Sequence, residues 1–458
     1  MKLIYGIKDR PKFGQVIIFA IQQLLAIMAA TLVVPVIIST SDNIPPELLP
    51  QMSSAAALLG AGIGTLVYQL FTRFKSPVFL GSSFAFIGPM CSAFAGAVTV
   101  QAGYLGLILG AVMAGLVYVL ISLIVKLAGV KWIAKLMPAV VIGPTVAIIG
   151  LSLAGNAIGD LQTAPAGGSV YVAIICGLVT LAVTMLCATF GKKMIRLIPF
   201  IMGILAGYAV AAIFTIIGNV ADLPALKVIN FAPITDLFST ITLETFISAP
   251  EFTFKEAIHG IKGIDFDYIQ TLFWAYVPVA FVVFAEHIAD HKNLSTIIEK
   301  DLLEEPGLHN TLLGDGVGSM AGAIFGGCPN TTYGESVGCV AITGNASVIT
   351  ITTTAFMAIA ISFLSPFVAF VNTIPSCVMG GVCMALYGFI AVSGLKMIQK
   401  VDLEQNRNLF VVSVILITGI GGLSISFGEV KLTTIACALI LGILANLMLG
   451  AKNKKKGE

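Results

Sequence analysis

A chain of 458 residues that is 57% hydrophobic and only 10% charged, with a mean hydropathy of +1.00, is too apolar for an ordinary soluble domain. Its formal net charge of +2 lacks the basic excess that nucleic-acid binding needs, so the composition describes a polytopic protein of the lipid bilayer. All eight cysteines lie in or beside apolar runs without metal-ligand spacing, which points to small packing residues rather than a disulfide framework.

Apolar runs fall at about 15–38, 53–72, 78–98, 103–126, 133–155, 169–190, 195–218, 271–291, 308–326, 332–344, 347–371, 375–395, 408–427 and 432–450, predicting about fourteen spans. With both termini placed in the cytoplasm, 21 of the 25 Lys and Arg residues fall inside, and only Lys227, Lys255, Lys262 and Lys431 fall outside. That asymmetry predicts an even number of crossings in the cytoplasmic membrane, with N- and C-termini cytoplasmic. No short apolar stretch followed by a small-residue cleavage site opens the chain, so the first span is expected to do the targeting.

The first span carries Gln22-Gln23, adjacent amides that need partners inside the bundle. The third reads Ser76-Pro-Val-Phe-Leu-Gly-Ser-Ser-Phe-Ala-Phe-Ile-Gly-Pro89. Its prolines remove donors and its glycines permit extended backbone, so a broken span is predicted there. The segment 221–268 is acidic and reads as an extracytoplasmic connector with short amphipathic pieces.

The eighth span ends in Ala285-Glu-His-Ile-Ala-Asp-His-Lys292, which places Glu286 and Asp290 on one helix face. His287 and His291 repeat at the same spacing, but no third ligand accompanies them, so no metal is expected. The ninth span includes Asp315 between two glycines, an intramembrane acid expected to serve packing or coupling rather than ligand contact.

The chain is organised around Pro329-Asn-Thr-Thr-Tyr-Gly-Glu-Ser-Val-Gly-Cys-Val-Ala-Ile-Thr-Gly344. A helix from Thr332 to Thr343 is roughly 20 Å long, well short of a hydrocarbon core of about 30 Å. It reads as a half-helix with the carboxylate Glu335 at its head, which is the pattern of a transporter's binding site. The halves also correspond. Pro138-Ala-Val-Val-Ile-Gly143 matches Pro375-Ser-Cys-Val-Met-Gly380, Gln22-Gln23 matches Glu286-His287, and the broken third span matches the tenth. Seven spans per repeat make the second inverted relative to the first, giving an all-α membrane protein of two inverted seven-span repeats.

Gly81-Ser-Ser-Phe-Ala-Phe86, Ala285-Glu-His287, Asp301-Leu-Leu303, Pro306-Gly-Leu-His309 and Pro329-Asn-Thr-Thr-Tyr-Gly-Glu335 resemble the nucleobase/ascorbate transporter (nucleobase cation symporter-2) family, and within it the uracil:proton symporters. The resemblance covers nearly the whole chain. Ser336 stands where the family usually has Asn, and Asp290 stands where uracil carriers of this type can have His and purine-transporting relatives have an acid.

The resemblance implies a core domain (13–127 and 269–372) moving against a gate domain (128–220 and 373–451) in a homodimer, with short antiparallel strands where spans three and ten cross. It also implies proton-coupled import of a nucleobase, most directly uracil, with xanthine or another purine as the alternative. Glu286 and Glu335 are then the substrate carboxylates, and the backbone of Phe84 and Gly334 supplies donors. Ser83, Tyr333, Tyr387 and Ala30 shape the pocket, and Glu286, Asp290 and Asp315 are candidates for proton coupling. The proton is the coupling ion and no other cofactor is implied. An anion exchanger of the same fold is the competing class, but it needs a Lys or Arg at the crossing, and neither Val78–Pro89 nor Pro329–Gly344 contains one. An enzyme is disfavoured, since no nucleophile–base pair or metal set stands out.

Overall fold

The computed structural model describes residues 3–129, 138–192, 194–427 and 430–454. It is predominantly helical. Its elements are α1 (Phe13–Ser39), α2 (Ser54–Phe71), β1 (Leu80–Ser82), α3 (Ile87–Ala95), α4 (Val100–Ala128), α5 (Ala139–Ser152), α6 (Ala154–Gln162), α7 (Val170–Phe190) and α8 (Pro199–Val220). The second half holds α9 (Phe266–Ile298), α10 (Leu308–Gly326), β2 (Asn330–Thr332), α11 (Gly334–Thr343), α12 (Val348–Ser362), α13 (Ser376–Ile398), α14 (Asn406–Ile420), β3 (Ile425–Phe427), β4 (Val430–Leu432) and α15 (Thr434–Lys454). Among the described residues, eight helices are long and apolar enough to cross a membrane, and shorter apolar helices lie among them.

Local chemistry sets several boundaries. Ser53, Thr99 and Asp265 cap α2, α4 and α9 by accepting the N–H of Ala56, Ala102 and Tyr268. Pro329 and the strand pairing displace the start of the half-helix: it begins at Gly334, two residues later than the sequence suggests, because Thr331 and Thr332 are taken up by β2. Conversely α9 starts at Phe266, ahead of the apolar run, because Asp265 caps it there. The opening of the fifth span, at 133–137, lies outside the described residues, as do Lys2, Lys131, Lys135, Lys193, Lys455 and Lys456 of the orientation count. The β3–β4 hairpin, Ile425 opposite Leu432, was not anticipated within the apolar runs. Short helices at Ala232–Leu237 and Thr253–Ile258 occupy the connector, and His259 is exposed there.

Two sets of helices pack separately. In one, α2 lies against α10 and α12, α4 against α9 and α10, α1 against α11 and α12, and α3 against α9. In the other, α13 lies against α5, α7 and α8, α14 against α5 and α15, and α7 against α8. The sets touch chiefly through α1 and α9: α1 meets α8 and α13, and α9 meets α15 and α5. Exchanging each first-half element for its second-half counterpart turns one of these contacts into another. Thus α4–α9 becomes α12–α1, α7–α13 becomes α14–α5, and α1–α8 becomes α9–α15.

The α2–α10 crossing shows how glycine permits this packing. A Cβ on Gly60 would lie 2.6 Å from the Gly322 carbonyl oxygen, and one on Gly64 would lie 2.8 Å from that of Gly318. Backbones that approach this closely leave no room for side chains, which is how helices associate in lipid. Gly60→Leu is therefore expected to destabilise the protein by about 1–3 kcal/mol or more, read as a lower midpoint in detergent-solubilised thermal unfolding. An unchanged midpoint would mean that the two helices do not meet at this face.

Candidate functional site

The broken spans meet at an antiparallel pair in which Leu80 faces Thr332, Gly81 faces Thr331 and Ser82 faces Asn330. The Ser83 N–H donates to the Pro329 carbonyl at 2.9 Å and extends the register by one bond. The ring of Tyr333 covers Gly81, where a Cβ would come within 2.3 Å of it, and its hydroxyl donates to the Ser82 carbonyl at 2.8 Å. Only glycine at 81 lets that ring lie flat on the strand. From this pair two short helical stretches diverge, Phe84–Phe86 leading into α3, and α11.

At both ends the preceding residue, Tyr333 or Ser83, gives no side-chain cap, and in α11 the Glu335 carboxylate lies against its own backbone N–H. The first N–H groups of α11 have no backbone acceptor within the helix. A helix N-terminus of this kind favours an oxygen acceptor or partial negative charge in front of it.

In front of these ends lies a cavity of about 50 Å³, several times the space one water needs. It is lined by Phe84, Ala85, Val146, Ile149, Glu286, Thr331, Thr332, Tyr333, Gly334, Glu335 and Ile390. Phe84, Glu286 and Glu335 come from the first set of helices, whereas Val146 and Ile149 on α5 and Ile390 on α13 come from the second. The cavity therefore lies between the two sets.

Its polar floor is acidic, with no Lys or Arg among the lining residues. The ion pairs among the described residues, Lys75–Glu305, Lys300–Glu305 and His287–Asp315, leave Glu286 and Glu335 without a basic partner.

Of the residues that the sequence and its resemblance single out, Glu286, Glu335, Phe84, Gly334 and Tyr333 line the cavity. Tyr387 stands behind Phe84, the rings edge to face with centroids 5.8 Å apart and planes at 79°. Ser83 is buried beside Phe84, and its hydroxyl has no partner among the described residues. Ala30 is buried in α1 but is not among the lining residues.

Asp290, one turn beyond Glu286, does not line the cavity; its Oδ2 accepts from the Thr332 hydroxyl at 2.8 Å and ties α9 to β2. Asp315 also lies away from it, fully buried on α10, with Oδ2 2.7 Å from His287 Nδ1. His287 Nε2 faces the Thr311 hydroxyl at 3.0 Å. His291 donates its Nδ1–H to the His287 carbonyl at 2.8 Å, since a carbonyl only accepts, and its Nε2 lies 2.7 Å from the Tyr68 hydroxyl. The two imidazoles are stacked with centroids 4.0 Å apart and belong to an interior polar chain that runs from Asp315 to Ser76.

The amides of the first span find only part of the partnership expected of them. Gln23 Nε2 donates to Ser336 Oγ at 2.5 Å, whereas the buried Gln22 Oε1 has no partner among the described residues. Ser336 Oγ also accepts from the Phe79 N–H at 3.3 Å, so this serine joins α1, α11 and the approach to β1. Sequence reasoning did not reach Val146, Ile149 or Ile390, apolar residues in uniformly apolar helices that carry no distinguishing signal. Thr331 and Thr332 sat within the organising motif, where their neighbours drew the attention.

A family profile described as "Permease family" matches residues 14–427. The chain is 37% identical over 451 residues to the uracil permease of Bacillus caldolyticus, covering 98% of this chain and 95% of that one. It is 36% identical to the uracil permease of Bacillus subtilis, covering 100% and 98%, and 35% identical to that of Escherichia coli K12, covering 97% and 93%. Among solved structures, the transmembrane domain of a cyanobacterial bicarbonate transporter, BicA, aligns with a TM-score of 0.60 at 13% identity, covering 96% of this chain and 98% of that one. The murine solute carrier 26 family member A9 anion transporter, in its inward-facing state, aligns with a TM-score of 0.60 at 11% identity, covering 98% and 70%. At such identities these structures establish the shared fold alone. Matched by that profile and by relatives of this similarity along nearly its whole length, the chain is a multi-pass membrane transporter that belongs to the nucleobase/uracil permease family.

Proposed function

We propose that this protein imports uracil together with protons across the cytoplasmic membrane by alternating access. The observation that carries the reading is the cavity itself: two acidic side chains without basic partners among the described residues face the same space as the uncapped starts of α11 and of the Phe84 turn. Uracil is planar, with two N–H donors and two carbonyl acceptors, so the Glu335 carboxylate and the carbonyl oxygen of protonated Glu286 take its N–H groups and backbone donors take its carbonyls. Phe84, backed by Tyr387, offers the ring a flat apolar neighbour.

The division of lining residues between two helix sets supports a core domain (13–127 and 269–372) that moves against a gate domain (128–220 and 373–451), with 221–268 as an extracytoplasmic connector. The exchange of contacts between halves supports two inverted seven-span repeats. In this reading both termini are cytoplasmic and the working unit is a homodimer. Glu286 is the proton carrier: its protonated form holds uracil in the outward-facing state, and release of the proton inside follows release of the base. Asp290 and Asp315 are the alternative coupling groups.

A xanthine or purine carrier is the second reading, and Asp290 is the residue that favours it. Anion exchange is the third, favoured by the fold shared with anion transporters, but an acidic cavity repels anions. Competition against radiolabelled uracil uptake in a transport-deficient cell separates the three. Unlabelled uracil is expected to compete better than xanthine or hypoxanthine, and bicarbonate is expected not to compete. Stronger competition by xanthine would place the protein in the purine branch.

A further inference from the structure

A second cleft, remote from the carboxylates, lies at the end of the bundle where the chain begins. It measures about 520 Å³ and is lined by Ile7, Lys8, Arg10, Phe74, Val348, Ile349, Thr352, Thr353 and Phe356. Three features of this cleft point to a ligand of one chemical class.

The first is a pair of uncommitted cations. Lys8 and Arg10 are exposed, and neither forms an ion pair among the described residues. The acid between them, Asp9, turns its Oδ2 to the Gly6 N–H at 2.8 Å and pairs with neither cation among the described residues.

The second is that these cations are held in place. The N-terminal lead-in is fastened to the loop after α11: the Ile4 N–H donates to the Gly344 carbonyl at 2.7 Å, the Ala346 N–H to Tyr5 at 2.9 Å and the Val348 N–H to Ile7 at 3.2 Å. The Ser347 hydroxyl donates to the Asp9 carbonyl at 2.7 Å. The backbone on either side of Lys8 is therefore fixed, and both basic side chains project from a braced strap.

The third is the wall below them. Phe74, Ile349 and Phe356 are 46%, 39% and 58% exposed. Cations beside an exposed apolar wall match an amphiphile with an anionic head.

We infer that this cleft binds an anionic phospholipid of the cytoplasmic leaflet, its phosphate on Lys8 and Arg10 and its acyl chain along Ile349 and Phe356. The leaflet follows from the Lys and Arg distribution, which gathers Lys8, Arg10, Lys12, Arg73 and Lys75 at this end. Charge complementarity selects the head, and the lipid-facing wall selects a lipid over free phosphate.

Native mass spectrometry of the detergent-solubilised full chain, with added dioleoyl phosphatidylglycerol or dioleoyl phosphatidylcholine, tests this. The protein is expected to retain phosphatidylglycerol selectively. The double variant Lys8→Gln/Arg10→Gln is expected to lose roughly thirtyfold in that affinity, since each cation near an anionic surface is worth about fivefold. Phosphatidylcholine adducts and uracil binding by the same variant should not change, which separates a lost lipid site from a misfolded protein. Equal retention of both lipids by the native protein, or an unaltered preference in the double variant, would overturn the assignment. Displacement of phosphatidylglycerol by millimolar inorganic phosphate would overturn it in favour of a free-phosphate site. These outcomes concern lipid binding, so they stand or fall separately from uracil transport.

Discussion

In proteoliposomes with an imposed inward proton gradient, Glu286→Gln is expected to bind uracil and yet fail to accumulate it. Glu286 is half-buried on α9, lines the cavity, and has no basic side chain paired with it among the described residues. Such an acid inside a membrane protein is costly unless it serves a ligand or a proton. Glutamine keeps the length of the side chain and can donate as the protonated acid does, so a complex that needs neutral Glu286 survives the change. It has no proton to release, so downhill proton flux no longer drives the cycle. Equilibrium binding within severalfold of the native value, together with loss of gradient-driven accumulation, is the expected pair of results. Unchanged accumulation would remove Glu286 as the essential carrier. Attention would then move to Asp290, held by Thr332, and to Asp315, held by His287.

At Glu335 the same substitution is expected to act on affinity instead. This carboxylate stands in the first turn of α11 and lines the cavity. A carboxylate accepting an imide N–H forms a charge-assisted bond, roughly twice as strong as its neutral counterpart. Glu335→Gln retains an acceptor but loses that assistance, so uracil binding should weaken severalfold. Glu335→Ala leaves the donor of the base unpaired in a desolvated site, a cost of about 1–3 kcal/mol, or roughly fivefold to 150-fold in Kd. Isothermal titration of the purified variants gives the affinities, and their thermal midpoints should stay near the native one. An affinity unchanged in Glu335→Ala would separate this residue from the substrate.

The contrast between these variants reflects what the sequence made legible. Prolines and glycines punctuate Ser76–Pro89 and Pro329–Gly344 so densely that broken spans follow from backbone chemistry alone, and the antiparallel pairing of Leu80–Ser82 with Asn330–Thr332 stands where those breaks meet. Intramembrane acids are likewise conspicuous in an apolar chain, which is why Glu286, Asp290, Asp315 and Glu335 stood out before any geometry was in hand.

Other parts were hidden for physical reasons. A helix in lipid needs no polar face, so nothing in Ala139–Ser152 or Ser376–Ile398 marks Val146, Ile149 or Ile390 as facing a cavity rather than lipid or another helix. The partnership of His287 with Asp315 depends on how α9 and α10 lie in space, which spacing along one helix does not reveal. The spacing of His287 and His291 suggests a shared ligand, yet their rings stack on each other and turn to Asp315, Thr311 and Tyr68. The N-terminal lead-in read only as a basic segment, whereas its backbone is bonded to the loop that ends the half-helix.

In the proposed cycle a proton gradient drives uracil through the acidic cavity between the two helix sets. Its most direct test is uptake of radiolabelled uracil by the native protein in proteoliposomes, acidic outside and near neutral inside, with and without a protonophore. Accumulation above the external concentration, collapsing to equilibration when the protonophore is added, is the expected result. Uptake that only ever reaches equilibrium, with the same extent in both conditions, would contradict it.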